Sequence, residues 1–160
     1  MDKRIIFVLI IVVAIIAILF SFNNGNNIDE SISTEYNYEI GEIKFNIPND
    51  FFEDTDTEKE IFYDDLEVYD DSSDFKFFTD KNNENFLSVY VCDLNKYLED
   101  HNNSKDFSEA LGENATLKRV NGNNCFVVNN ESIYFYVYNK NDKAVSVASF
   151  NETLIEEVIV

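Results

Sequence analysis

This chain has no tryptophan, one proline, one methionine, one histidine, two cysteines and four glycines in its 160 residues. Each scarcity excludes something. With so little glycine and proline, and with 15 phenylalanines and 9 tyrosines to build a core, low-complexity disorder is ruled out. With one histidine, a histidine-rich zinc site is impossible, and a Ser-His-Asp triad would have to be assembled around His101. His101 sits in the polar run His101-Asn102-Asn103-Ser104, which reads as an exposed helix end and therefore as an ordinary solvated histidine. There is no Gly-x-Ser-x-Gly elbow, no His-Glu-x-x-His run and no Gly-rich phosphate loop. The sequence therefore offers no catalytic residue, no metal-ligand set and no cofactor motif. Positive charge is scarce as well: 12 basic residues face 31 acidic ones, a formal charge of −19. Such a surface repels phosphate backbones, so nucleic acid is not an expected partner.

Long apolar runs are absent with one exception. Met1-Asp2-Lys3-Arg4 is followed by uninterrupted apolar sequence from Ile5 to Phe20, extendable through Ser21 to Phe22. At about 1.5 Å per residue this stretch reaches roughly 27 Å, near the hydrocarbon thickness of a bilayer. It is longer than the apolar part of a cleaved signal, and Ser21-Phe22-Asn23-Asn24-Gly25 carries no small-residue cut site. No cysteine follows it to take a lipid. Residues 1–22 are thus expected to be an uncleaved signal anchor, a transmembrane helix that makes the membrane itself a partner. Lys3 and Arg4 before the span keep that end in the cytoplasm. Everything from Asn23 onward is expected outside, on a single-pass protein of the cell membrane. Setting aside Asp2, Lys3 and Arg4 leaves 10 basic and 30 acidic residues, a charge of −20 for the outer part.

Residues 23–35 lack apolar periodicity and read as a polar tether. Residues 36–160 are one domain's worth of chain. Tyr36, Tyr38 and Ile40, then Ile43, Phe45 and Ile47, alternate with polar residues about Gly41-Glu42, which predicts a hairpin with a type II′ turn. Pro48 closes the second strand. Phe51–Asp74 reads as an acidic loop followed by a weak strand or helical turn. Phe75–Thr79 and Phe86–Cys92 are strands around the polar loop 80–85, with Leu87, Val89 and Val91 on one face. Asp93 is placed to cap a helix bearing Leu94, Tyr97 and Leu98, and Asp106 with Glu109 to cap a second one ending at Gly112. Strands are predicted at Thr116–Val120 and Cys125–Val128 about Asn121-Gly122, then at Glu131–Tyr138 and Lys143–Phe150. Asn151 caps a last helix with Leu154, Ile155, Val158 and Ile159 on one stripe. The fold class is α+β: a mostly antiparallel sheet with helices packed on one face.

The order of Ile43-Lys44-Phe45-Asn46-Ile47-Pro48, a central helix pair, Val120-Asn121-Gly122, Phe135-Tyr136-Val137-Tyr138 and the closing Leu154-Ile155-Glu156-Glu157-Val158-Ile159 resembles small single-pass cell-surface proteins of methanogenic archaea. Their outer domain is similar to the PsbP-like fold. The resemblance implies a fold and a location over residues 36–160, and it brings no catalytic residue.

Four constellations remain. Cys92 and Cys125, outside the cytoplasm, are either a structural disulfide or two separate buried thiols. Asp54, Asp56 and Glu58 alternate as calcium ligands would, but the sixth position is Lys59 rather than glycine, so a solvated acidic face is expected. Four Asn-x-Ser/Thr sequons, at Asn102, Asn114, Asn130 and Asn151, fall at loops or element starts and are candidate N-glycosylation sites. Tyr134, Tyr136 and Tyr138 share one strand face, either lining a cleft or lying beneath a helix. Together these predict a non-enzymatic surface domain with an unknown protein or envelope partner. The alternatives are a cation- or small-solute-binding module and, third, an envelope hydrolase.

Overall fold

The computed structural model describes residues 37–58 and 73–160. The signal anchor, the whole of the tether and the greater part of the acidic stretch lie outside the described residues. Among the described residues, no helix is long and apolar enough to cross a membrane.

A hairpin opens the domain: β1 (Tyr38–Ile40) pairs antiparallel with β2 (Ile43–Phe45). Gly41 and Glu42 join them, both at positive φ (54° and 66°), so the turn is type I′ and not the expected II′. Position 41 has a second requirement. A Cβ there would lie 2.7 Å from Val91 Cγ1, so the backbone approaches the sheet as only glycine allows. Asn37 closes the open end by exchanging hydrogen bonds with the backbone of Ile47 (2.6 and 2.8 Å).

β3 (Phe51–Glu53), β4 (Asp74–Asp80), β5 (Phe86–Asp93), β6 (Thr116–Val120), β7 (Asn123–Asn130), β8 (Ile133–Lys140) and β9 (Lys143–Ser149) form one sheet in the order β3-β4-β5-β9-β8-β7-β6. Every neighbouring pair is antiparallel. The last four strands are a meander with two-residue turns, and both turn residues have positive φ in Asn121-Gly122, Glu131-Ser132 and Asn141-Asp142. Glu131 therefore belongs to a turn and not to the strand that the alternation assigned it. β3 lies in the stretch whose sequence predicts a loop: three residues with no alternation give no period to detect.

Among the described residues, three complete helices accompany the sheet: α1 (Leu94–Asp100), α2 (Phe107–Leu111) and α3 (Glu152–Val158). All three caps are as the sequence predicts. The side chain of Asp93 accepts from the amides of Asn95 and Lys96, that of Asp106 from Glu109, and that of Asn151 from Thr153 and Leu154.

The helices do not share one face, which corrects the expected arrangement. Leu87, Val89 and Val91 pack with Tyr136, Tyr138, Val145 and Val147 beneath the β1–β2 hairpin and Leu154, Ile155 and Val158 of α3. Cys92, Val137 and Ala144, of the opposite strand parity, pack beneath Tyr97 of α1 and Phe107 of α2. The clue lay in β5, where Phe86, Leu87, Val89, Val91 and Cys92 are all buried, the near-continuous apolar run of a strand covered on both sides. A β-bridge between Phe45 and Ile159, with an Asn46 amide to Val158 carbonyl bond (3.0 Å), ties the hairpin to the end of α3 and completes that layer.

Candidate functional site

The polar chemistry of the domain concentrates in two clusters of the same composition, each one lysine, two glutamates and one tyrosine. Both lie on the sheet face carrying the hairpin and α3, one toward each edge.

At the β3 edge, Lys76 on β4 donates to Glu53 of β3 (2.5 Å) and to Glu58 (3.4 Å), while the Tyr38 hydroxyl from β1 donates to the other oxygen of Glu53. Pairing in the sheet places Glu53 beside Phe78, and Tyr38 packs edge-on against the same Phe78 ring, which brings strand and hairpin together. The Lys76 hydrogen bond, then that of Tyr38, holds the Glu53 carboxyl below its usual range. Burial and then Glu53 itself raise the Tyr38 hydroxyl. Burial works to lower Lys76, but the hydrogen bond to Glu53 and the charge of Glu58 outweigh it and leave the ammonium raised. The Glu58 side chain is 19% exposed, and its Oε2 is buried with no hydrogen-bond partner.

At the β6 edge, Lys118 donates to Glu152 (3.0 Å) and to Glu156 of α3. The Tyr136 hydroxyl from β8 reaches the same two oxygens at 2.7 and 3.0 Å. Here the tyrosine is fully buried, while the lysine and both glutamates keep a third or more of their side chains in water. The hydrogen bonds to Glu156 and Glu152 raise Lys118, and that of Tyr136, then Lys118, lowers Glu152. Burial, then Glu152, raises Tyr136.

General acid–base work near neutral pH wants a group poised near 7. Each resolved shift runs the other way: lysines and tyrosines up, glutamates down. Each cluster ties its elements together through paired charges that its own hydrogen bonds hold in the ionised form.

The residues singled out in the sequence are distributed otherwise. Cys92 on β5 faces α1 and α2, whereas Cys125 on β7 faces α3, and both are free and buried. β9 and β8 lie between their strands, which separates them by about 14 Å at roughly 4.8 Å per strand. A disulfide needs Cα atoms within about 7 Å, so the disulfide reading is corrected to two separate buried thiols. Burial pushes both thiols up to about 11, the protonated and unreactive state. His101 caps α1, stacks on Tyr97 with ring centroids 4.1 Å apart, and brings Nδ1 within 2.7 Å of the Tyr97 carbonyl. Asp54 accepts from the amide (3.0 Å) and hydroxyl (2.8 Å) of Thr57, and Glu58 pairs with Lys76, so two of the three alternating acids serve local structure. Among the described residues, no group of three or more His, Cys, Asp or Glu is arranged to hold a metal.

Asn102, Asn114 and Asn151 are exposed at element ends, and Asn130 is half-buried at the end of β7. Asn151 caps α3 through Oδ1, while a glycan would be carried on Nδ2. Of the three tyrosines, Tyr136 and Tyr138 are fully buried in the core that the hairpin and α3 cover, and Tyr134 is partly buried against it, so the face is covered there.

Sequence reasoning missed both clusters. Glu152 and Glu156 at i, i+4 were a signal that two carboxylates share a helix face, but nothing local names Lys118, 34 residues earlier, as their partner.

One further surface feature stands out. The exposed large hydrophobic side chains among the described residues are Phe52 (56%) and Leu117 (65%), and they occupy the two edge strands. No family model, no curated protein and no solved structure matches the chain.

Proposed function

We propose that this chain is a single-pass, membrane-anchored protein whose α+β domain stands outside the cytoplasm and acts by binding, in an interaction or envelope role, and not by turnover. The anchor, the orientation and the outside location rest on Lys3-Arg4 and the apolar run that follows. The binding part rests on one observation: Phe52 and Leu117, both exposed, lie within the two edge strands. An edge strand offers unpaired backbone groups, and an apolar side chain on it adds contact area for an incoming strand. The assignment to methanogen surface proteins with a PsbP-like outer domain belongs to the same proposal and rests on the turns and core positions given above. So does glycan addition at one or more of Asn102, Asn114, Asn130 and Asn151.

A second reading, a cation-binding module, draws support from the buried, unpartnered Oε2 of Glu58 in an acidic neighbourhood. Calcium titration followed by melting separates the two, since a bound cation raises the melting temperature with concentration. The test of the leading reading is protease shaving of intact cells. It should release peptides from residues 37–160 and leave the N-terminus in the membrane; a protected domain overturns it.

A further inference from the structure

We infer that the two edges of the sheet are made for each other, so that β6 of one copy pairs with β3 of the next and the sheet continues from molecule to molecule. This deepens the binding role proposed above and rests on it.

Direction comes first. Seven strands, each antiparallel to its neighbour, leave the first and the last running the same way. A copy set beside another along the sheet therefore meets it as a parallel pair, β6 against β3.

Faces come second. Phe52 pairs with Thr79 and Leu117 with Phe126, which puts both exposed side chains on the sheet face carrying α1 and α2. In a continued sheet that face is shared, so the two apolar side chains can lie side by side and leave water together.

Charge comes third and decides the pairing. Setting Leu117 beside Phe52 sets Lys118 beside Glu53 and Arg119 beside Asp54. Residue 54 still belongs to the ladder, its amide donating to the Phe77 carbonyl at 2.8 Å. Arg119 is exposed and makes no ion pair among the described residues. Lys118 and Glu53 already belong to the two clusters, so the joint would set those clusters against each other on the opposite face. Charges on edge strands normally keep edges apart. Here the signs differ: a two-fold sets like edges antiparallel, so β6 against β6 brings Lys118 and Arg119 against no anion, and β3 against β3 brings Glu53 and Asp54 against no cation. Only the unlike pairing matches apolar with apolar and cation with anion. A joint between unlike surfaces propagates instead of closing as a two-fold dimer, giving a ring or a row of domains.

The test uses the full chain in detergent micelles. Phe52→Cys is made in one preparation and Leu117→Cys in a second carrying a mass tag; Cys92 and Cys125 stay buried in both. The mixture is oxidised and resolved without reductant. The expected product is the Phe52→Cys/Leu117→Cys heterodimer, at least several-fold over either homodimer, and reduced several-fold when the tagged chain also carries Arg119→Glu. Homodimers in equal or greater amount, no cross-linked species, or indifference to Arg119→Glu would each overturn the inference. Both variants alter exposed side chains, and unchanged melting temperatures verify the fold. If cross-linking fails while the domain is still shaved from cells, self-pairing is wrong and the surface role stands; a domain protected from protease removes the surface role itself.

Discussion

The clusters at the two edges use the same four side chains and put them to different use. At the β3 edge the tyrosine lies on the outer hairpin and a glutamate oxygen is the buried atom; at the β6 edge the tyrosine is the buried atom and the glutamates face water. Composition alone therefore does not set the energetics. The dielectric around each charge does. An ion pair in water is worth little, while a carboxylate held out of water depends on its cation.

The largest difference should appear on removing the lysines. Lys76→Met deprives Glu53 of its cation and leaves Glu58, with one oxygen already unsatisfied, without a counter-charge. A loss of about 1–3 kcal/mol is expected from urea unfolding. Lys118→Met should cost distinctly less, because Glu152 and Glu156 keep water and the Tyr136 hydroxyl. Equal losses would show that burial does not separate the two edges.

Next comes a contrast on one strand. Tyr136 and Tyr138 are both fully buried on the same face of β8, but the Tyr136 hydroxyl serves two carboxylates and the Tyr138 hydroxyl has no partner. Tyr136→Phe should destabilise by about 1–2 kcal/mol, whereas Tyr138→Phe should be neutral or stabilising, since it removes a desolvated group that gains nothing in return. Thermal melting of the two variants distinguishes them, and a destabilised Tyr138→Phe would contradict the account.

The smallest effect is in pH. Glu53 and Glu152 have folded values held below 4.5, so each contributes stability that is present above about 4.5 and lost as pH falls through the folded value. Acid melting curves should therefore steepen below about pH 4.5. Lys76→Met should flatten that limb, because the lysine is the first cause of the Glu53 shift.

Much of this was readable in the sequence because it is local. Asp93, Asp106 and Asn151 announce their helices by capping chemistry confined to three or four residues, and β4, β5 and the β6–β9 meander announce themselves by alternation. What was not readable depends on distance. β3 carries too few residues for a period and is a strand because β4 pairs with it. The second demand on Gly41, its close approach to Val91, involves a residue fifty positions on. The separation of Cys92 from Cys125 follows from β9 being inserted beside β5, which their spacing does not encode. Tyr136 and Tyr138 look identical in pattern, and only the reach of α3 over one hydroxyl distinguishes them.

Sedimentation velocity on two glutamate variants of the full chain in detergent micelles tests the complementarity of the edges most directly. Leu117→Glu keeps an intact β3 edge and Phe52→Glu keeps an intact β6 edge. Each alone should sediment as a monomer at every concentration, and an equimolar mixture should form a dimer and stop there. Association of either variant by itself, or a mixture that stays monomeric, would contradict the account.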